Sequence, residues 1–426
     1  MSPDATAAPA RTPYRYTVLA LCAGATFLCY IDRVNISIAI IPMAEEFGWD
    51  ITQQTRVLAS FFFGYALTQI LGGWLASRVG GKRVLLGGVV VWSLFTALAP
   101  PAAAGGFAAL IAARIGMGLG EGVSFPAIYA LFSRWIPAGE RSRAVGFNFS
   151  AIPLGTVFAL VLTPWIIEHY GWPWAFYSFG ALGLVWVVAW QLLVTASPEE
   201  NPRVSPEELR AIRAGGEPAA DAPRPPMLPF LASPAVWAII LSHFCNNWGG
   251  YVMLGLLPTY LNSQLGVKLD SVGWYTMAPS LVSFLCLNSA GAIGDRLIRG
   301  GMRVITVRKL MQTISFGSVA LALLAVAQIE TAPLAIAVMC VSSAFGAAAS
   351  AGFLANHLDI APNHAGVLMG FSNTAGTLPG IFGLLISGWI IQTTGSWVLV
   401  FQLAAAVKIV GLLFFLAFAK GEKEFD

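Results

Sequence analysis

The sequence predicts an all-α membrane protein in which twelve transmembrane helices form two pseudo-symmetric six-helix bundles. The first reason is composition: 57% of the 426 residues are hydrophobic and 11% are charged, far from the balance of a soluble domain. The second is that the hydrophobic residues fall into runs long enough to cross a ~30 Å hydrocarbon core at ~1.5 Å per residue. The third is a weak repeat between the two halves of the chain.

The hydrophobic runs number twelve and are separated by short polar segments. They lie at roughly 16–41, 54–76, 84–102, 107–133, 143–167, 173–196, 235–261, 271–294, 304–328, 331–355, 364–393 and 396–418. Lipid offers no partner to the backbone groups of coil or open strand edges, so each run is expected to be a helix. The alternating pattern of a membrane barrel is absent.

Basic residues between the runs predict the orientation in the membrane. With a cytoplasmic N-terminus, 19 of the 24 Lys and Arg residues fall in cytoplasmic segments, and only Arg56 and Lys268 fall outside. Arg33, Arg114 and Lys408 lie within runs. The positive-inside rule therefore predicts that both termini are cytoplasmic. The net charge of +3 then reflects topology and does not indicate nucleic-acid binding.

The domain boundaries follow from the polar segments. We expect a disordered cytoplasmic tail at 1–15, an N-terminal bundle at 16–196, a linker at 197–234, a C-terminal bundle at 235–420 and a tail at 421–426. In the linker, "SPEELRAIR" predicts a short surface helix whose Ser205 and Glu208 fit a capping box.

The repeat relates "GGWLASRVGGKR" after the second run to "GAIGDRLIRGGMR" after the eighth. Arg78 and Arg296 in these segments are 218 residues apart, as duplication of a six-helix unit would give. Alternating-access transporters have this arrangement, in which two halves surround a site at the membrane midplane.

Charged residues inside the runs are the first candidates for function, because an ionised side chain in hydrocarbon needs a partner or a water-filled cavity. Asp32 and Arg33 are neighbours in run one and point about 100° apart on a helix, so they cannot face one point. Arg33 shares a face with Ser37. A structural ion pair that locks two helices remains the alternative.

Run four carries a second pair, Arg114 and Glu121, two turns and ~10.5 Å apart on one face. The glycines between and beside them serve either tight helix packing or room for a ligand. An arginine offers a fixed fork of donors to an anion, whereas a buried carboxylate can take up and release a proton.

Other polar residues in the runs allow weaker predictions. His243, Asn247 and Tyr251 share one face of run seven, which suits either substrate contact or hydrogen bonds between helices. His357, Asp359 and His364 are expected to cap a cytoplasmic helix end. Lys408 is isolated and is expected to snorkel or make a polar contact. The five cysteines, all within runs, read as small apolar fillers.

The chain resembles the anion:cation symporter family of the major facilitator superfamily, which includes sialin, vesicular glutamate transporters, plastid phosphate transporters and bacterial sugar-acid symporters. The resemblance rests on "YIDRVNISIAIIPMAEEFGW", "SFFFGYALTQILGGWLA", "GLGEGVSFPAIYALFSRWIPAGERSRA", "GWPWAFYSFG", "HFCNNWGGYVMLGLLPTYL" and "NHLDIAPNHAGVLMGFSNTAGTLPGI".

This resemblance implies a role for most candidate residues. Arg33 is expected to bind the anionic substrate, and Arg114 and Glu121 belong to coupling and gating. Asp32 matches the acid that precedes this arginine in the sugar-acid branch. The family motifs place the remaining polar positions at the central cavity, and with the stripe on run seven they complete the expected substrate set: Tyr65, Gln69, Asn247, Tyr251, Ser372 and Asn373.

The predicted function is secondary active transport: symport of a small organic anion, such as a sugar acid, with protons across the cell's inner (plasma) membrane. Inorganic phosphate as substrate and sodium as coupling ion are the alternatives, and an anion channel or a drug:proton antiporter is weaker. Enzyme signatures such as GxSxG, a His/Cys metal cluster or a phosphate loop do not occur. We expect a monomer without metal or cofactor.

Overall fold

The computed structural model describes residues 12–137, 140–213, 227–361 and 365–425, which form helices joined by short turns. These ranges contain no strand. The N-terminal half has α1 (Arg15–Phe47), α2 (Ile51–Val79), α3 (Gly81–Ala104), α4 (Phe107–Glu121), α5 (Ser124–Trp135), α6 (Arg141–Tyr170) and α7 (Trp172–Leu193). The linker has α8 (Pro206–Arg213) and α9 (Met227–Ala232). The C-terminal half has α10 (Pro234–Ser263), α11 (Leu269–Arg299), α12 (Val304–Val326), α13 (Ala332–Gly346), α14 (Phe353–Ile360), α15 (Ala365–Thr377), α16 (Pro379–Thr394) and α17 (Trp397–Phe418).

These helices make the twelve predicted membrane crossings. Ten segments of the described chain are long and apolar enough to span a membrane. The other two crossings are α2 and α10, of 29 and 30 residues, which carry polar side chains along their length, including Gln69 on α2 and His243 on α10. The predicted fold class is therefore confirmed.

Three crossings are discontinuous, which the hydrophobic runs did not reveal. The fourth crossing breaks between Glu121 and Ser124, the tenth is interrupted by a 3-10 turn at Ala347–Ser350, and the eleventh bends at Leu378. Side chains support the breaks: the Ser124 hydroxyl donates to the Glu121 carbonyl at 2.7 Å. Broken helices deep in a membrane are tolerated where neighbouring side chains pair their free backbone groups, and they commonly surround transport sites.

The two halves meet most extensively where α2 packs on α16 and α6 packs on α11. Glycine permits both approaches. A Cβ on Gly273 of α11 would overlap the carbonyl oxygen of Leu160, and one on Gly388 of α16 would overlap the Thr55 side chain. With the predicted orientation, these contacts lie towards the outer ends of the helices, so the structure is closed on that side.

The first part of the linker is bound to the N-terminal bundle. Ser205 caps α8 through a bond from the Glu208 N–H at 3.1 Å, but the Glu208 carboxylate turns away from the predicted capping box. It accepts hydrogen bonds from the backbone N–H groups of Tyr14 and Arg15, both at 2.8 Å, and pairs with the Arg15 guanidinium at 3.3 Å. A carboxylate therefore satisfies the free donors, and the positive dipole end, of α1.

This arrangement predicts a local stability effect. Replacing Glu208 by alanine removes a charged cap from α1 and should cost about 1.5–3 kcal/mol, because hydrogen bonds to ionised groups carry that much. The thermal unfolding midpoint of the purified protein should fall, whereas Glu207→Ala, on the exposed side of α8, should leave it within error. Equal midpoints for the two variants would contradict a capping role for Glu208.

The tails depart from the predicted boundaries. Residues 1–11 and 426 lie outside the described residues, but Tyr14 and Arg15, which were expected in a disordered tail, are held by Glu208. At the other end, the N–H groups of Glu424 and Phe425 donate to the carbonyl of Ile360 at 2.9 and 3.0 Å. The Phe425 ring lies 4.3 Å from that of Phe230. The C-terminal tail therefore packs on the C-terminal bundle.

Candidate functional site

Four charged side chains are buried together between α1 and α4: Asp32, Arg33, Arg114 and Glu121. Arg33 Nη2 donates to Glu121 Oε2 at 2.8 Å, and both side chains are almost wholly inaccessible, at 3% and 0% exposure. The sequence assigned separate roles to these two residues and left a structural ion pair as the alternative for Arg33. The structure pairs Arg33 directly with Glu121 of α4.

Cys29 belongs to the same cluster and is not an apolar filler. Its thiol donates to Glu121 Oε2 at 2.8 Å and accepts from Arg33 Nη2 at 3.3 Å. Cys29 lies one helical turn before Arg33, so the i, i+4 spacing was a signal for this contact. The cysteines at positions 22 and 245 are buried, as expected of fillers.

Asp32 points to the other face of α1, as the 100° step requires. It lies beside Thr96 of α3 and within the influence of the charges of Glu121 and Arg114. Within the described part of the chain, Oδ1 of Asp32 has no hydrogen-bond partner. A buried carboxylate oxygen without a partner is costly in its ionised form, so this group is suited to bind a proton.

Aromatic rings surround the Arg33 guanidinium. Its Cζ lies 4.7 Å from the ring centre of Tyr30, 4.9 Å from that of Phe61 and 4.6 Å from that of Tyr65. Of these three, the sequence singled out Tyr65, as a substrate residue. Cation–π contacts of this kind stabilise a guanidinium without using its N–H donors. Nothing in the run "SFFFGY" distinguished Phe61 from its neighbours, so this contact could not be predicted.

Both buried arginines border one small cavity of about 20 Å³, room for about one water molecule. Ser37 on α1, Phe62 on α2 and Tyr251 on α10 also line it, so residues of both halves contribute. The Nε atoms of Arg33 and Arg114 have no partner among the described residues. Two guanidinium groups with unused donors therefore face the same space between the halves.

The other predicted substrate residues are engaged in hydrogen bonds between helices. Asn247 Nδ2 donates to the Gly376 carbonyl at 2.9 Å. Gln69 Nε2 donates to Thr377 Oγ1 at 3.1 Å, and Asn373 Nδ2 donates to Gln69 Oε1 at 3.4 Å. These last two bonds join α2 of one half to α15 of the other. For run seven, the structure therefore favours hydrogen bonding at Asn247 and cavity lining at Tyr251.

Ser372 and His357 form a separate buried cluster with His243. Ser372 Oγ is 3.1 Å from Nδ1 of His243 and 2.8 Å from Nε2 of His357. His357 therefore points inward. The sequence predicted instead that it caps a helix end. Asp359 pairs with Arg308 through two bonds of 2.7 and 3.0 Å, and His364 lies outside the described residues.

Comparisons with known proteins identify the family of this architecture. The sequence profile of the Major Facilitator Superfamily matches residues 22–384. The chain belongs to the major facilitator superfamily. It is therefore a membrane transporter and not an enzyme, as predicted.

Several relatives of this superfamily are similar over nearly the whole chain. The ascorbate transporter of Arabidopsis thaliana chloroplasts is 42% identical over 97% of this chain and 76% of that protein. The sodium-dependent phosphate transport protein 1 of the same organelle is 42% identical over 97% and 81%. Human sialin is 35% identical over 99% of this chain and 92% of that protein. The predicted resemblance to the anion:cation symporter family is thereby confirmed.

Solved structures agree with the fold at low identity. A bacterial homologue of the human lysosomal transporter Spinster superposes with a TM-score of 0.76 at 16% identity, covering 95% of this chain and 97% of that one. A D-xylose–proton symporter superposes with a TM-score of 0.74 at 17% identity, covering 96% and 98%. Both likenesses concern the major facilitator fold alone.

The glycines of run four serve helix packing in this facilitator. A Cβ on Gly118 would overlap the Phe61 carbonyl of α2, and one on Gly120 would lie 2.7 Å from the backbone nitrogen of Trp92 on α3. Gly116 lies against the Phe95 ring in the same way. Of the two alternatives, packing against α2 and α3 is what the structure shows for these positions.

Lys408 of α17 is buried and makes a polar contact; it does not snorkel. Its Nζ donates to Asn246 Oδ1 at 2.9 Å and lies 4.2 Å from the ring centre of Phe316. In the portions of the chain that are described, no carboxylate pairs with it. Asn246 in turn donates to Asn247 Oδ1 at 3.2 Å, so a chain of amides connects this ammonium group to the centre of the molecule.

Proposed function

We propose that this protein is a proton-coupled symporter that imports a small organic anion by alternating access. The carboxylate of a sugar acid or a similar compound would bind at the cavity between Arg33 and Arg114. Asp32 and Glu121 would carry the protons. Both termini would lie in the cytoplasm and the protein in the cell's inner membrane, as the distribution of basic residues favours.

The observation that carries this proposal is the 2.8 Å pair between Arg33 and Glu121 beside a cavity that a second arginine also borders. Arginine binds carboxylates through two parallel hydrogen bonds. An entering anion therefore competes with Glu121 for Arg33. Once Arg33 is taken, Glu121 is a buried carboxylate that has lost its cation, and proton uptake relieves that cost.

Coupling then follows from thermodynamic linkage. If the anion favours protonation of Glu121, protonation must favour anion binding by the same factor, typically 1–3 kcal/mol. A carrier that binds both ligands together and neither alone moves them across the membrane as a pair. The Cys29 thiol, which donates to the same carboxylate oxygen, would help to hold Glu121 in either state.

The relatives support an anion as substrate and leave two classes to compare. The names ascorbate transporter and sialin support an organic anion, and the family resemblance favours a sugar acid. The name sodium-dependent phosphate transport protein favours inorganic phosphate with sodium as the second candidate. Phosphate would use the same two guanidinium forks, because they suit its oxygens equally well.

Uptake by proteoliposomes of the purified protein tests both parts of the proposal. Sugar acids, ascorbate and phosphate are supplied as labelled substrates, each under a proton gradient, a sodium gradient or neither. We expect concentrative uptake of a sugar acid under the proton gradient alone, and stabilisation of the protein by the same compound in a thermal unfolding screen. Phosphate uptake that follows sodium and ignores pH would establish the second candidate instead.

The glycine contact between α6 and α11 gives a prediction for the transport cycle. A methyl group at Gly273 cannot fit against Leu160 when the outer side is closed, and overpacking typically costs about 1–3 kcal/mol, about 5- to 150-fold in the population of that state. Gly273→Ala should therefore lower uptake by about that factor but retain substrate binding from outside. Gly291→Ala on the same helix, where a Cβ meets nothing within 4 Å, is the control. Equal uptake by the two variants would contradict this.

A further inference from the structure

The C-terminal half contains a buried cluster that the proposed mechanism does not use: His243 on α10, Ser372 on α15 and His357 on α14. Their exposed fractions are 8%, 0% and 2%. Ser372 Oγ lies between the imidazoles, 3.1 Å from Nδ1 of His243 and 2.8 Å from Nε2 of His357. Two histidines joined by one hydroxyl in the interior of a membrane protein call for a chemical explanation.

The hydrogen bonds of the cluster determine which atoms carry protons. Nδ1 of His357 lies 3.1 Å from the Phe353 carbonyl and 3.0 Å from the Leu354 carbonyl. Carbonyl oxygens only accept, so this nitrogen carries a hydrogen. When His357 is neutral, its Nε2 must then accept from the Ser372 hydroxyl. The contact from Nδ1 of His243 is therefore an N–H that donates to Ser372 Oγ.

A second arrangement satisfies the same atoms with one more proton. If Nε2 of His357 is protonated, it donates to Ser372 Oγ, and the serine hydrogen turns to the Met369 carbonyl, 3.2 Å away. Oγ then accepts from both imidazoles with its two lone pairs and donates once, which is its full capacity. The change needs only the rotation of one O–H bond, so the cluster can hold His357 neutral or charged without moving any heavy atom.

The surroundings favour a positive charge at His357 over one at His243. His357 is in the last turn of α14, where the carbonyl end of the helix dipole stabilises a cation. The charged groups on the segments packed around it are Asp359 on α14, Arg308 on α12, Lys408 on α17 and Glu424 of the C-terminal tail. Asp359 is paired with Arg308, Glu424 with Lys420, and Lys408 is bound to Asn246. None of these donates to or accepts from the cluster among the described hydrogen bonds.

We propose that His357, with Ser372 as its hydroxyl relay and His243 as its fixed donor, is a proton-binding site in the C-terminal half. This proposal rests on the proposed function, because the proton bound at His357 would be transported or released together with the substrate. Its position supports such a role, because Asn373 follows Ser372 and contacts Gln69 of the other half. Protonation that turns the Ser372 hydroxyl towards the Met369 carbonyl therefore changes a hydrogen bond one residue from a bond between the halves.

Nuclear magnetic resonance of the purified full chain, labelled with nitrogen-15 in its histidine rings, tests the site directly. The chain has four histidines, so each ring can be assigned by substitution. We expect His357 to show the Nδ1–H tautomer at alkaline pH and to become an imidazolium reversibly as the pH falls. Ser372→Ala should displace that titration, whereas His169→Gln, on the exposed end of α6, should not. A neutral His357 down to the pH of unfolding, or a titration indifferent to Ser372→Ala, overturns the proposal.

Transport assays add a second, separate measurement. His357→Gln keeps a polar group but stays neutral, so concentrative uptake under a proton gradient should fall at least about fivefold, with substrate counterflow retained. Accumulation and pH profile equal to the parent's would overturn the proposal. If the parent itself ignores the proton gradient, the proposed function fails, and the titration of His357 still decides whether this site binds a proton.

Discussion

Arg33→Gln is expected to weaken substrate binding and to destabilise the protein as well. The substitution removes a two-pronged, charge-assisted contact to the anion worth about 1.5–3 kcal/mol, about tenfold or more in affinity. It also leaves Glu121 buried without its cation, which typically costs about 3–5 kcal/mol unless the acid takes up a proton. The destabilisation should therefore be smaller at low pH. Substrate-induced thermal shift and unfolding midpoints across a pH series measure both effects.

A double variant separates binding from stability. In Arg33→Gln/Glu121→Gln no charge is left unpaired at this contact, so the unfolding midpoint should return most of the way to the parent's while substrate binding stays weakened. Arg33→Lys keeps the charge but not the planar fork and should rescue binding poorly. Arg56→Gln, exposed near the start of α2, is the control. Parental affinity in Arg33→Gln would remove Arg33 from the substrate site.

Glu121→Gln should uncouple transport without stopping it. The amide can still accept from Arg33 Nη2 and from the Cys29 thiol, but it cannot exchange a proton. It therefore imitates the protonated acid permanently, so the variant should bind substrate and exchange it in counterflow at near-parental rates. Accumulation under an imposed proton gradient should be lost, and Asp32→Asn should give the same or a partial defect. Radiolabelled uptake and counterflow in proteoliposomes measure the two activities side by side.

The control for this uncoupling is Asp270→Asn, which changes an exposed carboxylate in the first turn of α11. It should leave both activities unchanged. If Glu121→Gln and Asp32→Asn each accumulate substrate as well as the parent, the two acids are not the coupling groups, whatever ion drives uptake.

The sequence predicted the number and length of the crossings because hydrocarbon thickness and backbone pairing constrain every run in the same way. It did not predict that the fourth and tenth crossings break. Their composition stays apolar through the break, and the partners that make a break tolerable come from other helices. Gln312 of α12, for example, accepts from the Phe353 N–H at 3.1 Å, which no local pattern reveals.

The candidate residues of the N-terminal half were found for a similar reason: charge in hydrocarbon is conspicuous. Their pairing was not found, because it depends on how closely α1 and α4 approach and at what rotation. The predicted capping box failed in the same way. Ser205 accepts the predicted bond from the Glu208 N–H, but the Glu208 carboxylate binds the free N–H groups at the start of α1, almost 200 residues away in sequence.

The four buried charges of the N-terminal half have an electrical consequence. Two arginines and two ionised acids sum to zero, so the net charge that crosses with a loaded site equals the protons bound minus the charge of the anion. A monovalent acid with one proton crosses without electrical work. With both Asp32 and Glu121 protonated it carries one positive charge, and a potential of 100 mV, negative inside, then adds about 2.3 kcal/mol to the driving force for import. The current measured per substrate molecule would therefore count the protons that cross with it.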